Sequence, residues 1–242
     1  MPALSPAEPV AYAAAAGLAN VAGAYAIVAR GEWSRRSLEF VLAFSAGFLV
    51  AVSLGELVPE AVARGGSHAG WWMLSGFVLV HLTQHALVGH FHFGEETHVV
   101  GKSVGTSALV GLMLHTFVDG VAIATSFAVD ERMGFFVLAA ILLHKLPEGL
   151  AIGSLFIAGG RSPRAALGAA AALGIATVIG AALAGPVNFI AQHGLALSAG
   201  VTLYVGGSNL IPEFQGKRGW SHNAWFFGGV AVYAIAAAVA GR

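Results

Sequence analysis

The chain has 242 residues, 57% of them hydrophobic and only 10% charged, with 12 basic against 12 acidic side chains. A soluble domain carries about 25% charged residues, so this composition, with a mean hydropathy of +0.78, excludes a water-facing globular surface. Zero net charge removes the electrostatic case for a nucleic-acid partner, and the absence of cysteine excludes disulfides and thiolate metal sites.

Taken in chain order, eight apolar stretches reach the roughly 20 residues that about 30 Å of hydrocarbon requires. The first, about 10–29, follows "MPALSPAEPV", which lacks the basic start of a signal peptide, so a retained span is expected. The second, 39–60, carries Glu56 and ends on Glu60. The third, 71–90, opens on Trp71 and Trp72, which read as interfacial anchors, and holds His81 and His85 near its other end. His90, His92 and His98 follow, with Glu95 and Glu96 between them, so that 91–103 is the one loop of marked character. It can hold metal at a mouth of the protein or simply be solvated. The fourth and fifth spans, 104–129 and 134–159, bear His115, Asp119, His144, Lys145, Pro147 and Glu148. The sixth, 165–190, contains no acid; the seventh, 195–213, ends on Glu213; the eighth is 223–241. Short linkers leave no room for a soluble domain, so residues 1–242 read as one all-α polytopic membrane domain whose partner is the lipid bilayer.

Loop charges set the expected orientation. Eight basic residues (Arg30, Arg35, Arg36, Lys102, Arg161, Arg164, Lys217 and Arg218) fall on one side of the eight-span arrangement. Three (Arg64, Arg132 and Arg242) fall on the other. The positive-inside rule then puts both termini outside and the 91–103 loop in the cytoplasm. Lys145 alone lies within a span.

Two internal repeats are visible. "AFSAGFLVAVSLGELVPE" at 43–60 and "ALSAGVTLYVGGSNLIPE" at 196–213 agree at eight of 18 positions without gaps. They lie five spans apart and so run in opposite directions. The pattern Leu-His-x₃-[Asp/Glu]-Gly-x-Ala-Ile occurs at 114–123 and again at 143–152, on neighbouring antiparallel spans. Spans 1–3 are thus expected to repeat as 6–8, inverted, with spans 4 and 5 between them. Inverted repeats are a transporter signature, with the substrate site near the midplane.

His115 and Asp119 share one helix face, as do His144 and Glu148, because residues four apart stack on a helix. Acids at mid-span cost about 2.5–3.5 kcal/mol each on insertion scales, which marks them as functional. Two imidazoles and two carboxylates make an N₂O₂ set that suits Zn²⁺ and also Cd²⁺, Mn²⁺ or Fe²⁺. Pro147 removes the backbone bond to Leu143 and is expected to kink the span and free that carbonyl toward a cavity. Glu60 and Glu213, at opposite mouths, read as gate or vestibule acids or as plain helix-end carboxylates; Glu56 is a weaker candidate. Two alternatives to a metal carrier use the same residues: a proton-coupled carrier of another solute, with His and acid as a relay, and an intramembrane metal-dependent hydrolase. A purely structural polar cluster is the bland reading.

The chain resembles the ZIP (Zrt/Irt-like) family of divalent-metal transporters. "HTFVDG" is similar to that family's span-4 motif His-Asn-x-x-Asp-Gly, and "HKLPEG" to its span-5 region. The resemblance implies that His115, Asp119, His144 and Glu148 are transport-site ligands, that the metal is substrate rather than cofactor, and that the protein is not an enzyme. Members with two metals place an Asn after the first histidine and an acid or amide after the second, where this chain has Thr116 and Lys145. They also draw a carboxylate from span 6, which is missing here. The expectation is a one-metal site in which Lys145 stands where a second ion would be. Movement of the ion toward the cytoplasm, a bacterial inner (cell) membrane and a homodimer complete what is expected.

Overall fold

The computed structural model describes residues 7–30, 35–87 and 102–240, and among them every regular element is helical. The helices are α1 (Ala7–Arg30), α2 (Arg35–Val52), α3 (Val58–Gly65), α4 (Ala69–Leu87), α5 (Lys102–Phe127), α6 (Glu131–Ala158), α7 (Pro163–Ala184), α8 (Asn188–Tyr204) and α9 (Ser221–Val239). Among the described residues, seven stretches are long and apolar enough to cross a membrane. One of them, Arg36–Gln84, runs for 49 residues through α2, α3 and α4. A straight helix of that length would be about 73 Å long, but the 3₁₀ turn Gly66–His68 interrupts it. Gly66 has φ 54°, a conformation that costs glycine nothing and other residues dearly.

Local chemistry explains where the helices begin and end. Asp130 caps α6 by accepting from the Met133 N–H at 2.8 Å, and Ser162 caps α7 ahead of Pro163. The expected sixth span, 165–190, needs correction. Helix α7 stops at Ala184, because Pro186 has no N–H to donate and disfavours helix at the residue before it. Helix α8 then starts at Asn188, before the position expected for span seven.

The two repeated segments both leave α-geometry at matching places. A π-helical turn covers Ser53–Leu57, and another covers Val205–Leu210. Each is followed within two residues by a proline, Pro59 or Pro212. Each proline withholds the N–H that an α-helix would send four residues back, to Gly55 or Ser208, inside the π turn.

Packing divides the helices into two groups. Helix α1 packs on α6 and α7, and α5 on α7 and α6; α2 packs on α9, and α4 on α8. Glycines set the closest crossings. A Cβ on Gly120 would overlap the Thr177 carbonyl, and one on Gly180 the Phe117 carbonyl, which locks α5 to α7. Gly149 meets the Asn20 carbonyl and Gly23 the Leu146 carbonyl in the same way, locking α6 to α1. The second group repeats the device: Gly47 and Gly229 join α2 to α9, and Gly76 and Gly200 join α4 to α8. Small residues that admit backbone-to-backbone contact are the usual means of holding helices together in lipid, where burial of apolar side chains gives little driving force.

At the end of the bundle where α1 begins, a cavity of about 1220 Å³ opens between the groups. Alanine is its commonest lining residue, and Arg64, His68, Asp130, Glu131 and His193 add polar groups. Trp71 faces outward at 68% exposure, as an anchor would. Trp72 differs from the expectation: it turns inward and stacks on His193 at 4.2 Å.

Candidate metal centre

His115 and Asp119 lie on one face of α5, and His144 and Glu148 on the facing side of α6. Each of the four offers a ligand atom, and these atoms all lie within 4.8 Å of one another. Among the described residues this is the one such group of three or more. All four residues are buried, each at 3% exposure or less. Burying four polar groups together is costly unless something satisfies them, and several atoms here are not satisfied. Neither ring nitrogen of His115 has a hydrogen-bond partner, nor does Glu148 Oε1.

The geometry suits a cation. His144 Nδ1 donates to the Ala140 carbonyl at 3.0 Å, the second contact that fixes ring and tautomer in metal-binding histidines. That leaves Nε2 facing the cluster, 3.3 Å from Asp119 Oδ2. With Nδ1 as the donor in a neutral ring, two acceptors meet, and a cation between them resolves the conflict. His115 Nε2 stands 3.5 Å from Glu148 Oε2 and 3.8 Å from Asp119 Oδ2, and the two imidazole centroids are 6.3 Å apart. A cavity of about 10 Å³ abuts the group, lined by Leu42, His115, His144, Glu148, Val205, Asn209 and Leu210.

Lys145 is fully buried in the same cluster. Its Nζ lies 2.7 Å from Asp119 Oδ2 and 3.0 Å from Glu148 Oε2, so one ammonium bridges both carboxylates. Thr116 is also fully buried, and its hydroxyl donates to the Met113 carbonyl of its own helix at 3.0 Å. Pro147 sits inside α6, which continues through it. The Leu143 carbonyl that Pro147 releases was expected to face a cavity. Instead it accepts from Ser45 Oγ of α2 at 2.9 Å.

The other expected residues that the structure describes lie outside this group. Glu56 is 1% exposed and is held between Arg132 Nη2 at 3.4 Å and the Tyr233 hydroxyl, which donates to it at 3.2 Å. Glu60 pairs with Arg64, one turn on, at 2.6 Å. Glu213 sits in the 3₁₀ turn Ile211–Glu213 and is half-buried. His81 is exposed, its ring 5.7 Å from that of Tyr204. The side chain of His85, and His90, His92 and His98 altogether, lie outside the described residues. Burial separates the two glutamates energetically. Arg132→Ala leaves a buried carboxylate short of a donor and should lower stability by about 1–3 kcal/mol. Glu60→Gln breaks a surface pair and should cost less than about 1 kcal/mol. Thermal unfolding of the detergent-solubilised variants orders the two, and an equal effect would contradict the burial of Glu56.

Two polar residues near the site were missed in the sequence. Asn209 lines the small cavity from the second π turn; its signal was its place as the repeat counterpart of Glu56. Asn20 of α1 is fully buried with neither side-chain atom hydrogen-bonded, and its carbonyl packs against Gly149, next to Glu148. A lone Asn in the Ala-rich first span carried no spacing signal.

The sequence profile of the ZIP zinc transporters matches residues 94–237, which takes in α5 to α9 and all four clustered residues. The chain belongs to the ZIP zinc transporter family. Among named relatives, the zinc transporter ZupT of Shigella dysenteriae serotype 1 is 32% identical over 129 residues, half of each chain. ZupT proteins of Shigella flexneri and Escherichia coli are 30% identical over the same length and share. The chain spans about half the length of these relatives in each match. They are zinc transporters by name. ZIP membership also accounts for the seven apolar helical stretches as those of a multi-pass membrane protein.

Proposed function

We propose that this ZIP-family chain carries Zn²⁺ or a related divalent transition-metal ion across the membrane, toward the cytoplasm, through the His115–Asp119–His144–Glu148 site. The observation that carries this reading is the buried convergence of two imidazoles and two carboxylates within 4.8 Å. Residues of these types suit Zn²⁺, and Cd²⁺, Mn²⁺ and Fe²⁺ are also compatible. The site binds one metal, Lys145 standing for the second ion, since its Nζ already spans both carboxylates; Thr116 contributes no acid.

The architecture proposed is eight spans with inverted repeats. The 49-residue stretch Arg36–Gln84 supplies two of them, separated at the Gly66–His68 turn. Three features support the inverted repeat. The π turns fall at matching positions of the two repeated segments. Glycine crossings exchange in pairs: Gly17 and Gly174, which touch each other, are 157 residues apart, as are Gly23 and Gly180. Gly47 and Gly200 are 153 apart, as are Gly76 and Gly229. Gly120 and Gly149, next to the two acids, exchange their roles against α7 and α1. These locked crossings all fall inside the groups α1–α5–α6–α7 or α2–α4–α8–α9, which supports alternating access by movement of one group against the other around a site borne by α5 and α6.

The protein is read as one domain, 1–242, in a bacterial inner (cell) membrane as a homodimer, both termini outside. Glu60, Glu213 and the loop histidines act at its mouths, with Glu56 holding the Arg132 contact. Liposomes of the purified protein test the function. Saturable Zn²⁺ or Cd²⁺ uptake, absent from protein-free vesicles, and one bound ion per chain by calorimetry are expected. Flux of protons with no metal binding would transfer the reading to a proton-coupled carrier of another solute, and two ions per chain would end the one-metal assignment.

A further inference from the structure

An alternating carrier must reorient its site twice per cycle, once loaded and once empty. The empty crossing is the harder problem for a site built on buried acids. Asp119 and Glu148 without metal would carry a charge of −2 through a medium of low dielectric. The Born cost of a buried charge grows with its square, so −2 costs about four times as much as −1.

We propose that Lys145 is a tethered counter-cation that makes the return of the empty carrier fast, so that this protein performs net uptake without needing a metal ion for the return stroke. The inference rests on the transport reading above and extends it to the step that metal-binding measurements do not see. Its ground is the position of Lys145. It is fully buried, its Nζ is 2.7 Å from Asp119 Oδ2 and 3.0 Å from Glu148 Oε2, and the same α6 turn carries the ligand Glu148. With both histidines neutral, the site holds −1 when empty and +1 with a divalent ion. Without the ammonium it would hold −2 and 0. The lysine therefore equalises the magnitude of the charge in the two crossings, where its removal would favour the loaded one and penalise the empty one.

Loading need not expel the ammonium from the cluster. Glu148 Oε1 is buried and has no hydrogen-bond partner, so this carboxylate keeps an acceptor while Oε2 holds Lys145. His115 likewise has both ring nitrogens without hydrogen bonds. The lysine acts as a positioning and charge-balancing residue, and it does not touch the ion.

The test separates net uptake from exchange in proteoliposomes clamped at zero membrane potential. Net uptake runs ¹⁰⁹Cd²⁺ or ⁶⁵Zn²⁺ into a lumen holding only chelator. Exchange runs the same tracer into vesicles loaded with the unlabelled ion, a cycle that never requires an empty crossing. Wild type is expected to show similar rates in both. Lys145→Gln takes the loaded site from +1 to 0 and so shifts metal affinity in both assays, but net uptake should fall by more than about tenfold relative to exchange in the same vesicles. Lys145→Arg, which keeps the charge, should retain both. Net uptake and exchange falling together, or both unchanged in Lys145→Gln, would overturn the proposal while leaving the transport reading in place. Wild-type exchange running more than about tenfold faster than net uptake would overturn it whether or not the glutamine variant folds. Absence of metal flux in wild type under either condition would remove the transport reading, and this inference with it.

Discussion

Glu148→Ala is expected to abolish saturable metal flux in proteoliposomes, and His144→Ala to reduce it less. The ordering follows from charge. The intact site with a divalent ion carries +2 from the metal, −1 from each of Asp119 and Glu148, and +1 from Lys145, a total of +1. Removing Glu148 leaves +2 in a buried cluster and strips Lys145 of one of its two carboxylate contacts. An uncompensated buried charge costs several kcal/mol, which corresponds to an affinity loss of more than about a hundredfold. Removing His144 deletes one neutral ligand and leaves the total charge unchanged. Three protein ligands and a water still make a Zn²⁺ site of the open kind, so a loss of about ten- to a hundredfold in affinity is expected, with residual flux at high metal. Calorimetry and uptake across a range of concentrations check both. Flux in Glu148→Ala equal to that of wild type would discard the site. The reverse order, with His144→Ala the more damaging, would discard the electrostatic account and keep the site.

Gly120→Ala is expected to destabilise the protein by about 3 kcal/mol or more, at the upper end of overpacking costs. The new methyl group would overlap the Thr177 carbonyl, and that is backbone, which cannot rotate aside as a side-chain tip can. Helices α5 and α7 must separate, and Asp119 moves with them because it is the preceding residue. Gly149→Ala should behave in the same way against the Asn20 carbonyl of α1. Gly168→Ala in α7 provides the control: nothing lies within 4 Å of its added methyl, and replacing glycine by alanine in a helix favours the helix by up to about 1 kcal/mol. Thermal unfolding in detergent, read together with metal affinity, separates loss of fold from loss of site. Wild-type stability in Gly120→Ala would refute the close crossing.

Both expected effects concern one layer of the bundle. Glycine follows the acid in each of the two His-x₃-acid motifs, and the close approach that these glycines permit brings α7 and α1 against the helices that carry the ligands. The same sequence unit thus supplies donor atoms and the packing that holds their helices. The lysine is the departure from this symmetry: position 145 has Thr116 as its repeat counterpart, and only one of the two helices donates a cation.

Much of this was legible in the sequence, because the signals involved are local. Apolar runs of about 20 residues mark helices whatever surrounds them. The i, i+4 spacing of His115 with Asp119, and of His144 with Glu148, puts each pair on one face before any partner is known. The break at Gly185–Pro186 was equally local, and the span drawn across it ignored the missing N–H of proline. What only the tertiary structure decided depends on how helices cross. No spacing says that Lys145 Nζ bridges two acids on different helices, that Ser45 Oγ reaches the carbonyl Pro147 releases, or that Arg132 meets Glu56 across 76 residues of chain. A helix determines which residues share its face; the crossing, set here by carbonyls pressed against glycines, determines what that face meets.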